Sequence, residues 1–209
     1  MAYRAVIFDL GGVVVGSPLH AIAHYEAQRG IAPGAINRVV VATGPGGAWS
    51  RLERGELTLE RFYSAFDQDC AGAGHTISAR DLMVLIAAAT EPRAAMLDAI
   101  GRIRERGLAT AAITNNWIAD DGDSGALRSY FDVYVESAVV GIRKPDPGIF
   151  TLACDALGIA PAEAVFLDDI GSNLKTARAL GMTTIKVQDP DAALAELEAL
   201  LGFPLRAPA

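Results

Sequence analysis

Six positions scattered along the chain carry side chains suited to work on an anion or an electrophile: Asp9, Thr114, Asn115, Lys144, Asp168 and Asp169. Each follows a short apolar run. Asp9 lies at the end of RAVIF and ahead of Gly11-Gly12, Thr114-Asn115 close LATAAIT, Lys144 sits in GIRKPDPGIF, and Asp168-Asp169 close AVFL. Three carboxylates drawn to one rim repel one another. At about 4 Å and an effective dielectric near 20, each like-charge pair costs about 4 kcal/mol. A divalent cation removes that cost, and an all-oxygen site with room for water and phosphate suits Mg²⁺. Thr114, Lys144 and the backbone N–H groups after Asp9, those of Leu10 and Gly11, could then hold a phosphoryl group. Taken singly, each Asp could merely cap a strand or helix and Lys144 could be a solvated charge. Four such groups in order at successive strand ends make that reading a poor one.

The elements that must position these groups are legible in the pattern. Residues 4–10, 108–114, 133–136, 164–168 and 183–187 are short, β-branched or aromatic apolar runs of the kind that form buried parallel strands. Helical segments separate the later ones. Thr90-Glu91-Pro92 reads as the opening of one, with Gly107 as its close. Residues 147–157 end at Gly158, residues 173–180 end at Gly181, and Asp189-Pro190 opens the last. Strands alternating with helices predict an α/β fold, a Rossmann-like parallel sheet with helices on both faces. In such sheets ligands bind beyond the carboxyl ends of the strands, where the six residues fall.

Residues 16–89 break that rhythm. They contain five helical patterns (19–29, 35–41, 48–54, 59–70 and 79–89) and no convincing strand, with Ser78 and Asp81 forming an N-cap signal. The expected organisation is a core of residues 1–15 and 90–209, interrupted by a helical insertion of residues 16–89.

Composition sets the outer bounds. In 209 residues, 51% are apolar and 21% charged, enough for a sizeable core and against global disorder. A net charge of -7 argues against nucleic-acid binding, which needs positive surface. No apolar run approaches the roughly 20 residues that span a bilayer. The apolar N-terminus carries Asp9 in its middle and is broken by Gly11-Gly12, so it does not read as a secretory signal. Two cysteines, Cys70 and Cys154, fit small buried hydrophobes in a reducing compartment, and a cytoplasmic location is expected. An apolar face on the Ala-rich insertion could serve a homodimer.

In order, the stretches FDLGGVV, AAITNN, RKPDPGIF and VFLDDIGSN resemble the four motifs of the haloacid dehalogenase (HAD) superfamily. GGAWSRLERGELTL, VFLDDIGSNLKTARALGM and VQDPDAAL are similar to the N-terminal phosphatase domain of soluble epoxide hydrolase. They are also similar to the related domain of some acyl-CoA dehydrogenase fusion proteins. The likeness covers nearly the whole chain, and it identifies the helical insertion with the family's C1 cap. A second catalytic domain like those of the fusions is not expected. The resemblance implies that Asp9 attacks phosphorus and forms an aspartyl-phosphate. It implies that Mg²⁺ is held by Asp9, the Gly11 carbonyl and Asp169, with Asp168 beside it. Thr114 and Lys144 would bind phosphoryl oxygens, assisted by the backbone at Leu10, Gly11 and Asn115, and Asn173 would support the metal loop. The implied substrate is a small phosphorylated molecule.

One position departs from the pattern. Family phosphatases usually carry a second Asp two residues after the nucleophile, which protonates the leaving alcohol and later activates water. Here that residue is Gly11. Such acid–base help contributes about 10²–10⁴-fold, roughly 3–5 kcal/mol of barrier. Three readings stay open: a phosphatase acting without this acid or with help from elsewhere, a binding protein with weak or no turnover, and a dehalogenase whose Asp9 attacks carbon. The last fits poorly with the metal-suited Asp168-Asp169 pair. Among weaker signals, Trp49, Arg51 and Arg54 lie where a cap could meet substrate, although a surface role for the arginines is favoured. His20 and His24 read as a solvated helix face, the glycines of TGPGGAW as a turn, and Asp120, Asp121 and Asp123 as a solvated loop.

Overall fold

The computed structural model describes residues 3–118 and 125–206; Asp120, Asp121 and Asp123 lie outside them. Five parallel strands form one sheet in the order β3-β2-β1-β4-β5: β1 (Ala5–Phe8), β2 (Ala109–Thr114), β3 (Val133–Glu136), β4 (Ala164–Asp168) and β5 (Thr183–Lys186). The register sets Phe8 between Ala112 of β2 and Leu167 of β4. The order places β1 centrally, so the ends of β2 and β4 flank the end of β1.

Alternation along the strands divides the core into two layers, since successive side chains point to opposite faces. Val6, Phe8, Val165 and Leu167 pack with Met96, Ile100 and Ile103 of α6 (Ala94–Glu105) and Leu194 and Leu197 of α11 (Pro190–Leu201). Ile7, Ala111, Ile113 and Phe166 face Ile149, Phe150 and Ala153 of α9 (Pro147–Leu157) and Leu174 and Ala177 of α10 (Gly171–Ala179). Two short helices, α7 (Gly125–Arg128) and α8 (Ser137–Val140), complete this part. Asp189 caps α11 by accepting from the Ala192 N–H at 2.8 Å, as its sequence signal implies.

Between β1 and α6 runs an all-helical insertion: α1 (Pro18–Gln28), α2 (Ala35–Thr43), α3 (Ala48–Glu53), α4 (Leu59–Gly72) and α5 (Ala79–Ala89). It has its own apolar centre. Phe62 and Phe66 stack at 5.2 Å, Trp49 meets both edge-on at 5.7 and 5.3 Å, and Tyr25, Ile36, Leu52, Leu82 and Ile86 close around them. Ser78 Oγ accepts from the Asp81 N–H, and buried Glu26 accepts the free N–H groups of Gly34 and Ile36 at the start of α2. The TGPGGAW glycines turn the chain from α2 into α3 through a single 3₁₀ turn. No described helix is long and apolar enough to cross a membrane.

The two chain crossings between insertion and sheet correct one expectation. Thr90-Glu91-Pro92 does not open α6, which starts at Ala94 after Arg93. Instead the Thr90 hydroxyl donates to Ala87 O at the end of α5, and residues 91–93 run extended beside residues 14–16. Gly16 N–H donates to Glu91 O, and Arg93 N–H to Val14 O. These interchain-like bonds satisfy backbone groups that a helix begun at Pro92 would leave facing the crossing. Gly16 is required there, because a Cβ would stand 1.9 Å from Ala89 O. Helix α10 likewise begins two residues before the expected Asn173.

Phe66→Ala removes one of the two stacked rings of the insertion's aromatic cluster and should cost about 3–5 kcal/mol in chemical unfolding. A loss below about 1 kcal/mol would contradict the packing described.

Candidate active site

The strand order converts distant residues into neighbours. Asp9 follows β1 directly and prolongs its ladder, its N–H donating to Leu167 O at 2.8 Å. Thr114 ends β2 and Asp168 ends β4 on either side. The carboxylates of Asp9, Asp168 and Asp169 each place an oxygen within 4.8 Å of the others. Lys144 arrives from the segment between α8 and α9 and is 1% exposed. Its Nζ lies 2.7 Å from Asp9 Oδ1 and 2.9 Å from Asp168 Oδ2. The Asn115 side chain fixes the lysine backbone from both sides, accepting from Lys144 N–H at 2.8 Å and donating to Lys144 O at 3.0 Å.

The three aspartates are held differently. Asp168 is saturated: Asn173 Nδ2 donates to both its oxygens (3.1 and 3.0 Å), Ile170 N–H to Oδ1 and Lys144 to Oδ2. Asp9 receives the Leu10 N–H and Lys144 on Oδ1 alone, and its Oδ2 has no protein partner among the described residues. Among the side chains of the described residues, Asp169 receives only a long contact from Ser17 Oγ, at 3.5 Å. The loop after Asp9 accommodates Asp169 closely. A Cβ on Gly12, whose φ is +79°, would meet Asp169 Oδ2 at 2.3 Å, so both the backbone angle and the approach demand glycine.

Three carboxylates against one ammonium leave two negative charges uncompensated in a buried place. The consequence is visible in the ionisation of Asp9, Asp169 and Lys144. Burial pushes Asp9 up to about 8; Lys144 pulls it down, while Asp168 and Asp169 add to the rise. Asp169 is raised chiefly by burial and then by Asp168. For Lys144 burial disfavours the charge, but the Asp9 and Asp168 carboxylates hold it above its ordinary value. A divalent cation would supply the missing charge, and the oxygen-only donor set fits a hard one.

Above these groups lies a cavity of about 160 Å³. Of the residues singled out in the sequence, Asp9, Gly11, Asn115, Lys144, Asp169 and Asn173 line it. Leu10, Thr114 and Asp168 are buried and do not. The insertion provides the other wall, with Leu19, Ile22, Asn37, Val40, Trp49 and Glu53. An adjoining groove of about 720 Å³ shares Asn37, Arg143 and Lys144 and reaches Arg54. Arg51 and Arg54 pair with Glu56 at 3.4 and 2.6 Å. Trp49 is packed in the insertion's core while also lining the cavity, His20 and His24 are exposed, and both cysteines are buried.

Sequence reasoning did not single out Glu53 and Arg143. Glu53, 7% exposed, accepts from Trp49 Nε1 at 2.9 Å and lies 2.5 Å from Arg143 Nε. Among the ion pairs of the described residues, this one joins the insertion to the sheet-bearing part. The available signal was Trp49 and Glu53 four apart, a spacing that puts both on one helix face.

The family profile described as haloacid dehalogenase-like hydrolase matches residues 3–181. The chain is 44% identical over 209 residues to acyl-CoA dehydrogenase family member 10 of Mus musculus, covering 98% of this chain and 20% of that protein. It is 34% identical to bifunctional epoxide hydrolase 2 of Sus scrofa, covering 98% of this chain and 40% of that one. The chain thus spans well under half the length of these relatives. Among solved structures, an HAD family enzyme of Bacteroides thetaiotaomicron in complex with magnesium and inorganic phosphate superposes with a TM-score of 0.63. It is 20% identical, with 88% of this chain and 94% of that chain covered. A parallel sheet ending in clustered aspartates, an inserted helical cap and a family match over most of the length lead to one assignment: the chain belongs to the haloacid dehalogenase-like hydrolases.

Proposed function

We propose that this hydrolase is a Mg²⁺-dependent phosphomonoesterase acting on a small phosphorylated molecule through an aspartyl-phosphate on Asp9. The observation that carries the reading is the asymmetry of Asp9. Lys144 and the Leu10 N–H occupy Oδ1, while Oδ2 is left without a protein partner beside a cavity. Fixing one oxygen orients the other for attack. Similarity to a fold neighbour holding magnesium and inorganic phosphate supports the same chemistry.

In this reading Asp9 Oδ2 attacks phosphorus, the ester P–O bond breaks, and water then releases phosphate from the aspartate. Lys144 and Thr114 bind phosphoryl oxygens, with the backbone of Leu10, Gly11 and Asn115 beside them. Asp9, the Gly11 carbonyl and Asp169 would hold Mg²⁺, which when bound offsets negative charge on the phosphoryl group. Asp168, with its oxygens already engaged, serves to fix Lys144 next to the cation. Residues 1–15 and 90–209 act as the core, and residues 16–89 as a cap whose closure excludes bulk water. Gly11 by itself favours a second reading, a phosphate-binding protein without turnover.

Turnover of an aryl phosphate with Mg²⁺ separates the two. The expected result is hydrolysis that falls by about 1,000-fold or more in Asp9→Asn and is abolished by EDTA. Equal rates in all three conditions would overturn the proposal.

The raised Asp9 supplies a second test. An acid with a folded-state pKa of about 8, against an ordinary 3.8, keeps its proton longer in the fold than in the unfolded chain. Without cation, stability therefore declines as pH rises from about 4 to about 8. At low pH a bound cation must first expel that proton. Saturating Mg²⁺ should raise the Tm more at about pH 9 than at about pH 6; an equal or opposite dependence would contradict the assignment of Asp9 as a ligand.

A further inference from the structure

An alkoxide departs slowly from phosphorus unless it receives a proton, and Gly11 has no side chain to give one. The cavity wall offers few other groups that can carry a proton. Asp9 is the nucleophile in the hydrolytic reading, Asp169 faces the cation, and Lys144 is tied between Asp9 and Asp168. Glu53 remains. It stands at the end of α3, in the wall that the insertion supplies, and is 7% exposed.

We propose that Glu53 is the proton donor and acceptor of this site, a cap carboxyl replacing the one missing at position 11. The inference rests on the phosphomonoesterase reading. In the first step Asp9 Oδ2 bonds to phosphorus, the P–O bond to the alcohol breaks, and the Glu53 proton passes to the departing oxygen. The products are a neutral alcohol, the aspartyl-phosphate and an ionised Glu53. In the second step Glu53 takes a proton from a water whose oxygen bonds to phosphorus. The phosphorus–Asp9 bond breaks, giving inorganic phosphate, a free Asp9 carboxylate and protonated Glu53.

The surroundings of Glu53 suit this exchange. One oxygen, Oε1, is fixed by the Trp49 indole N–H at 2.9 Å. The other, Oε2, is buried against Arg143, whose Nε lies 2.5 Å away. Taking a carboxyl out of water in this way disfavours its charged form. Burial pushes the Glu53 carboxyl above its ordinary value in spite of Arg143 and Trp49, and the Lys144 charge is felt there as well. The group thus shares the electrostatic environment of the phosphoryl-binding lysine. Arg143 is the positioning residue. Next in sequence to Lys144, it also donates to Ser50 Oγ at 3.2 Å, which aligns α3 over the strand ends.

The test compares leaving groups. For Glu53→Gln with a simple alkyl phosphate, turnover should fall by about 10²–10⁴-fold. With p-nitrophenyl phosphate, whose leaving group needs no proton, the variant should release about one equivalent of nitrophenolate per chain in a burst. A slow phase follows as phosphoenzyme waits for its base. Adding Gly11→Asp to Glu53→Gln should restore alkyl-phosphate turnover; the new Cβ would lie 3.2 Å from Pro18 Cδ, which a small shift of the ring accommodates. An active wild type with an unchanged Glu53→Gln, or a variant that loses the same factor on both esters with no burst and no rescue, overturns the role of Glu53 alone. A wild type inert toward both esters overturns the hydrolytic reading and this proposal together.

Discussion

The structure is organised around a buried ammonium shared by two carboxylates. Lys144 Nζ bridges Asp9 and Asp168 with almost no exposure to solvent. An ion buried this deeply is stable only with good partners on every side, and removing one member of such a pair strands the other in a low-dielectric place. The surrounding sequence answers that demand in several directions. Asn115 clamps the lysine backbone, Asn173 and the Ile170 N–H fill the remaining valences of Asp168, and Phe166 lies under the ammonium at 5.7 Å from its ring centre. What stays unfilled is Asp9 Oδ2 and most of Asp169. The arrangement is therefore rigid where it binds charge and open where chemistry would occur.

The fold supplies this geometry cheaply. With β1 between β2 and β4, residues more than a hundred positions apart stand side by side. The glycines that follow Asp9 complete it, since Gly12 lets the backbone pass within contact of Asp169. The helical insertion, with its own aromatic core, then roofs the site from a second direction. Its junction is stiffened by extended backbone pairing and by Arg93, whose Nη1 donates to Gly12 O and Val13 O at 2.6 and 3.0 Å.

Much of this was legible in the residues. A strand buried on both faces reads as a continuous apolar run, so the five strands and the acids at their ends stood out, and the helical insertion was marked by its change of period. Side-chain partnership was not legible. Asp168 and Asp169 are adjacent and chemically identical, yet one is saturated by hydrogen bonds and the other is not, because a strand end turns successive residues to different sides. Glu53 and Arg143 are 90 positions apart, and neither sits in a strand-end pattern. Only the docking of α3 on the segment before Lys144 brings them together. Thr90-Glu91-Pro92 misled because its local helix-opening chemistry was overridden by pairing with residues 14–16.

The central claim is that the surplus negative charge at the strand ends is matched by one divalent cation held between Asp9 and Asp169. Calorimetric titration of Mg²⁺ into the wild-type chain and into Asp169→Asn tests it directly. The account predicts one cation per chain for the wild type and binding weakened by about tenfold or more in the variant. Absence of binding to the wild type, or equal affinity in the two, would contradict it.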